Sequence, residues 1–480
     1  LKYAKRLGLR QSPGALPEDE MTARFPQELL CANDKPPLPV GTPVSSRLSD
    51  KLAPTRQHQP THAPLLSNRV KPFKQRCIGL GNRSVSHFWS ASQHRTKFQL
   101  NAVLRAQYHR LVIRRFYVNN FRCLENFELP IADRSSVLLI GKNGAGKTTV
   151  GLALEILQRI ARGVNRVDEV VKPKDLARGR TDVPMRFEIE VKLGGQTYEY
   201  FIAFDFPPGF KELRVVEEGL AADSKPVFTR QLAQVHLAKT NQEKEAKFLI
   251  DWHLAALPIV QERNKNDPLF IFKQWLARIV ILRPMPSLIK GNSEQETLQP
   301  NIQGTDFGAW FSGLLAYAPA AYGKIDDYLK QVMPDLKDIK NPVIGKDARS
   351  LEVQFSNDLG NVTIPFADLS DGEKCFMICA MVLAANDAYG PLVCFWDEPD
   401  NYLALSEVGH FITALRKAFQ SGGQFITTSH NPEAIRRFSE ENTLVLYRKN
   451  HLEPTNVRPV SEITVNGELV SALIRGDVEP

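Results

Sequence analysis

The segment Gly141-Lys142-Asn143-Gly144-Ala145-Gly146-Lys147-Thr148 has the residue types and spacing needed to hold a run of phosphates. Its glycines allow the backbone to curl until successive N–H groups face one anion, which makes Gly141, Asn143, Gly144 and Gly146 candidate phosphate-binding positions. Lys147 would reach the β- and γ-oxygens, and Thr148 would place its hydroxyl on Mg²⁺, with Thr149 beside it. A second constellation lies far downstream, where the apolar run Pro391-Leu392-Val393-Cys394-Phe395-Trp396 ends in Asp397-Glu398-Pro399. Asp397 is the candidate metal-binding carboxylate, and Glu398 is placed to take a proton from an attacking water. A third, Gln424-Phe425-Ile426-Thr427-Thr428-Ser429, leads directly into His430. Taken singly, these are a glycine-rich turn, a pair of solvated acids and a capping histidine. Together they are the parts of a nucleoside-triphosphate site.

Such a site needs elements that hold its parts at one edge. Ser136-Val137-Leu138-Leu139-Ile140 reads as a buried strand, and Val150 to Ile160 carries apolar residues at helical spacing, so the phosphate loop has the required strand, loop, helix order. The runs ending at Asp397 and at Ser429 read as further buried parallel strands, whose C-terminal ends are where an open sheet binds ligands. Between them, Phe366-Ala367-Asp368-Leu369-Ser370-Asp371-Gly372-Glu373-Lys374 opens a helical run from Cys375 to Ala385. Ser370 followed by Glu373 also fits a capping box.

Leu369-Ser370-Asp371-Gly372-Glu373 resembles the signature motif of the ATP-binding-cassette superfamily, and the four elements in order resemble the head domain of its SMC, RecF and OLD branch. The opening segment, Ile113 to Phe127, resembles that branch's first hairpin through the step Asn120-Phe121-Arg122. The likeness runs over about residues 111 to 450. It implies ATP and Mg²⁺ as ligands, with Asn120 and Arg122 near the nucleotide. It also implies a homodimer in the ATP state, in which Ser370 and Gly372 contact the γ-phosphate held by a second copy. The chain departs from the family pattern at Leu403-Ala404-Leu405, where a Leu-His-Pro or Leu-Asp step is common.

The formal charge of +8 suggests nucleic acid until its distribution is read. Residues 1–110 hold 18 Lys and Arg against 6 Asp and Glu, a balance of +12, which leaves −4 for the remainder. That segment is proline-interrupted and aperiodic, so it is expected to be disordered and dispensable for the ATP site. Three accounts of it stay open: upstream sequence in an over-extended gene model, a basic nucleic-acid-binding tail, and a presequence interrupted by Glu18-Asp19-Glu20. No apolar run reaches the ~20 residues of a membrane span. The 6 cysteines lack metal-ligand spacing, so a soluble, cytoplasmic protein is expected.

Lys147 and Ser370 lie 223 positions apart, an interval that in SMC-type proteins carries heptad arms and here shows none. It reads as strands over Met185–Leu193 and Thr197–Phe204, joined at Gly194-Gly195. Helices are expected over Phe248–Ala256 and Asp326–Val332, with Asn241 to Lys247 as a solvated face. The fold class is therefore α/β: a head over residues 111–480 with a parallel-rich core sheet, an antiparallel β subdomain and a helical lobe, the insertion spanning about 180–365. Beyond His430, Thr443–Tyr447 reads as a strand closing the sheet and Val465–Leu473 as a final hairpin or helix. The tail lacks the length and acids of the nuclease domain that OLD proteins carry there. By resemblance, the chain is then an ATP-driven switch controlling a separate effector nuclease in phage defence. A RecF-like DNA-repair ATPase is the alternative, and the motif intervals disfavour a transporter subunit.

Overall fold

The structure, a computed structural model, describes residues 112–238, 246–463 and 470–472. The expectations for residues 1–110, for Asn241 to Glu245 and for most of Val465–Leu473 lie outside them. The described chain is α/β, with sheets of both kinds.

The central sheet has the order β10-β17-β18-β3-β19-β20: β3 is Ser136–Ile140, β10 Val280–Leu282, β17 Val393–Trp396, β18 Gln424–Thr428, β19 Thr443–Tyr447 and β20 Asn456–Pro459. All its pairings are parallel except β19 with β20. Both faces are covered, which is why these strands read as unbroken apolar runs. Val137, Leu139, Val393, Phe395, Ile426 and Leu444 enter one hydrophobic cluster. Leu138, Ile140, Cys394, Trp396, Phe425 and Val445 enter the other. The strand period of 2 distributes each run between two cores.

Helix α1 (Lys147–Ala161) and α2 (Pro268–Ala277) cover the first face together with an antiparallel sheet. That sheet has the order β2-β1-β4-β5-β6-β7-β8-β9, formed by β1 Val112–Asn119, β2 Phe127–Leu129, β4 Met185–Leu193, β5 Gln196–Asp205, β6 Arg214–Ala222, β7 Lys225–Gln231, β8 Gln234–Leu237 and β9 Ala246–Leu249. The second face is covered by α3 (Phe307–Tyr317), α4 (Ala321–Val332), α5 (Asp371–Tyr389) and α6 (Leu405–Gln420). Two small three-stranded sheets lie in the same lobe, so it mixes strands with helices: β11 (Asn292–Ser293), β14 (Ala348–Ser350) and β13 (Val343–Ile344) form one, and β12 (Leu336–Lys340), β15 (Glu352–Asn357) and β16 (Gly360–Pro365) the other. Buried Gln424 ties the layers: its Oε1 accepts from the Ile113 amide at 3.0 Å, while its Nε2 donates to the carbonyls of Ile131 and Arg134 at 3.2 and 3.0 Å.

One expected helix is absent. Over Phe248–Ala256 the chain pairs Phe248 with Val235 in antiparallel register and then turns. The amides of Ala256 and Leu257 donate to the buried carboxylate of Glu218 at 2.6 and 2.7 Å. Sheet pairing and a buried acceptor override the local apolar spacing. Thr443–Tyr447 is a strand, yet β20 rather than β19 forms the edge.

Helix α1 lies close to β17 because Gly151 faces Phe395, where an added Cβ would come within 2.4 Å of the ring. Phe395 is buried in the core. Gly151→Val is therefore expected to destabilise the protein by about 1–3 kcal/mol through overpacking. Urea unfolding checks this, and an unchanged midpoint would refute the packing account.

Candidate functional site

Three adjacent parallel strands carry the site. Because β17, β18 and β3 are neighbours with Trp396 opposite Thr427 and Thr428 opposite Leu139, their C-terminal ends lie level at one edge. Asp397-Glu398, Ser429-His430 and the phosphate loop leave from those ends. Residues 249 positions apart in the chain, Thr148 and Asp397, thereby meet.

The loop's conformation depends on glycine where φ is positive, at +144° for Gly141 and +102° for Gly146. A Cβ at Gly141 would overlap the Leu446 carbonyl oxygen at 2.1 Å, and one at Gly146 would meet Thr455 Oγ1 at 2.8 Å. Gly146 is the N-cap of α1 and offers no side-chain cap, so the helix N-terminus opens directly from the loop. Lys147 is only 6% exposed, and its Nζ donates to the Gly141 carbonyl at 2.8 Å. Burial lowers its pKa, with Glu398 and Asp397 opposing the shift.

Asp397 is held on both oxygens. Thr148 Oγ1 donates to Oδ2 at 2.8 Å and Thr428 Oγ1 to Oδ1 at 2.7 Å. Arg283 Nε stands 3.7 Å from Oδ2. The Thr148 hydroxyl and Asp397 carboxylate are hard oxygen donors of the kind Mg²⁺ takes beside phosphate. Glu398 adopts φ +48°, a left-handed conformation uncommon for a long side chain, and its amide donates to Thr428 Oγ1 at 2.9 Å. Its carboxylate accepts from Asn401 Nδ2 at 2.7 Å and lies 3.6 Å from His430 Nε2. Desolvation, then Lys147, lowers the His430 pKa against the pull of Glu398 and Asp397, which favours the neutral imidazole at pH 7.

A cleft of about 700 Å³ is lined by Asn143, Gly144, Gly146, Lys147, Thr148, Thr149 and Glu398, together with Arg122. Arg122 Nε pairs with Asp175 Oδ1 at 3.1 Å. Asn120 is placed differently from what the resemblance implies. Its amide nitrogen donates to the Arg180 and Val183 carbonyls at 3.0 and 2.7 Å, and its oxygen accepts from the Ala177 amide at 3.1 Å. Buried and fully engaged, it ties the 177–183 segment to β1 instead of lining the cleft. Ser370 and Gly372 do not line it either. Ser370 caps α5, its Oγ accepting from the Glu373 amide at 3.3 Å while Glu373 Oε2 accepts from the Ser370 amide at 2.7 Å, so the capping box is formed.

Sequence reading missed Thr428, Asn401, Arg283 and Asp400. Asp400 is buried, accepts from Ser429 Oγ at 2.8 Å and has its pKa raised by desolvation. Asp400 and Asn401 follow the acidic pair directly, which is a usable signal. Arg283 carries none, because its place beside Asp397 comes only from the pairing of β10 with β17.

Residues 112–253 match the family model described as AAA ATPase domain. Among solved structures, the chain is similar to an SMC head bound to the C-terminal winged-helix domain of ScpA, at 14% identity and TM-score 0.44, over 73% of this chain and 98% of that one. It is also similar to the SMC head domain from Thermotoga maritima, at 12% identity and TM-score 0.38, over 72% and 98%. A third is the SMC head with an extended coiled coil bound to the C-terminal domain of ScpA, derived from Pyrococcus furiosus, at 12% identity and TM-score 0.41, over 77% and 99%. No curated protein matches the chain. The family match ends before β17, and Asp397, Glu398 and His430 leave the same sheet edge as the loop within the matched part. Over residues 112–253, then, the chain carries a match to an AAA ATPase domain.

Proposed function

We propose that this head binds ATP and hydrolyses it to ADP and phosphate, with Glu398 as the general base. The observation that carries this reading is the continuous chain Lys147, Thr148, Asp397, Thr428, Glu398, in which a phosphate-binding lysine, a metal-binding pair and a base share one edge. Mg²⁺ held by Thr148 and Asp397 would neutralise charge on the phosphate oxygens when bound. Lys147 binds and orients the phosphates, Glu398 takes the proton of the attacking water, and His430 stands against the Glu398 carboxylate.

The reading extends to assembly. Two copies close head to head over two ATPs, Ser370 and Gly372 of each facing the nucleotide held by the other. Supporting this, neither residue lines its own chain's cleft, and Ser370 is exposed at the N-terminus of a 19-residue helix. The ATP-gated closure would control a separate effector nuclease in phage defence. No described helix is long and apolar enough to cross a membrane. A pull-down from the native host with ATP and the Glu398→Gln variant tests the effector role: an enriched nuclease supports it, and recombination proteins on DNA favour the RecF-like alternative.

Ser370→Arg is expected to leave nucleotide affinity within about twofold and to abolish ATP-dependent dimerisation in a Glu398→Gln background. Loss of the cap alone costs only about 1 kcal/mol. Ser370→Asp keeps a capping oxygen but sets a negative charge against phosphate, so it too should stay monomeric. Light scattering with ATP checks both, and a dimer matching that of Glu398→Gln alone would remove the cross-protomer role.

A further inference from the structure

The cleft has a wall that the phosphate chemistry does not use. The loop joining β19 to β20 supplies Arg448, His451 and Leu452 to its lining, and Arg178 approaches from the segment after α1. This loop is fastened from several directions. Arg448 donates to the Gly144 carbonyl at 3.2 Å, to the His451 carbonyl at 2.6 Å and to the Glu453 carbonyl at 3.0 Å. Thr455 Oγ1 donates to the Ala145 carbonyl at 2.9 Å, and its amide donates to the Cys123 carbonyl at 2.8 Å. Arg178 donates to the Leu452 carbonyl at 3.1 Å while pairing with Glu125 at 2.6 Å.

Although this backbone is held in place, the His451 and Leu452 side chains are exposed, Leu452 by 73%. The imidazole also reaches the phosphate loop, since a Cβ at Gly144 would lie 3.7 Å from His451 Nε2. An imidazole and an aliphatic side chain carried on this fastened backbone beside a phosphate loop offer a weakly polar surface against which a nucleobase can pack.

We propose that the Arg448–Thr455 loop is the nucleoside-recognition element of this site, with His451 and Leu452 contacting the base of the bound nucleoside triphosphate. This deepens the ATP-site reading and rests on it. Because Arg448 and Thr455 hold the carbonyls of Gly144 and Ala145, the same loop also braces the phosphate-binding backbone. Base contact and phosphate contact are thus carried by different residues of one loop and can be separated by mutation.

Isothermal titration of the full chain with ATP and with inorganic tripolyphosphate, each with Mg²⁺, separates them. The variant His451→Ala/Leu452→Ala removes only exposed side chains. It is expected to weaken ATP about tenfold, the scale of one lost base stack, while tripolyphosphate affinity stays unchanged. His451→Phe, which keeps a ring, should restore most of the loss in a Leu452 background. Equal weakening of both ligands would mean that the loop only braces the phosphate loop, and no change in either would remove it from recognition; each overturns the proposal. Should the unmodified chain bind tripolyphosphate but not ATP, base recognition fails while the phosphate site stands. Binding of neither ligand would sink the ATP reading itself and this inference with it.

Discussion

Lys147→Ala is expected to weaken ATP binding by at least about thirtyfold. Lys147 is 6% exposed, opens α1 and has its ammonium held by the Gly141 carbonyl of the loop itself. Truncating one partner of a buried, hydrogen-bonded charge pair costs about 2–5 kcal/mol, a loss of roughly thirtyfold to several thousandfold in affinity. The fold should survive, since among the described residues Nζ donates to loop carbonyls that can turn to water. The depressed pKa adds a pH dependence whose sign follows from burial: in the unliganded protein this lysine loses its proton at lower pH than an exposed one, so ATP association should begin to weaken on the alkaline side before surface lysines titrate. Titration calorimetry at pH 7 and across the alkaline range checks both statements. An alanine variant with unmodified affinity would remove the loop from the site.

Glu398→Gln should have the opposite profile, with ATP binding kept and turnover lowered by about 10²–10⁴-fold. The glutamine is isosteric, so the hydrogen bond from the backbone amide to Thr428 Oγ1 and the contact with Asn401 can persist. What disappears is the proton acceptor. At φ +48° the backbone leaves the strand conformation of β17, and the Glu398 side chain lines the cleft. Steady-state phosphate release beside a nucleotide-binding measurement separates the two effects. Hydrolysis at the unmodified rate would show that the base lies elsewhere.

Legibility in the sequence followed the range of the interactions. The phosphate loop, its strand and its helix are contiguous, so residue type and spacing sufficed, and β3 and α1 appear where the apolar pattern puts them. The runs ending at Asp397 and Ser429 were readable as buried strands because both faces of the sheet are covered and the period-2 signal is saturated. The Phe248–Ala256 helix failed for the converse reason. Its apolar spacing is local, whereas the pairing of Phe248 with Val235 and the capture of two amides by Glu218 are not.

Asn120 and Ser370 show the same limit at the level of single side chains. An asparagine in the opening hairpin and a serine before a helix are compatible with both a ligand role and a structural one. The structure buries Asn120 against the 177–183 backbone, whereas Ser370 forms its cap and lies away from its own chain's cleft. By itself, the sequence determined the chemistry on offer: a lysine and hydroxyl for phosphate and metal, an acid pair, a histidine, and the strands that bear them. The tertiary structure decided which of these groups meet, because parallel pairing of β17, β18 and β3 converts separations of hundreds of residues into hydrogen-bond distances. It also decided what surrounds them, bringing Arg283 beside Asp397 and the Arg448–Thr455 loop onto the phosphate loop through contacts that leave no local pattern in the chain.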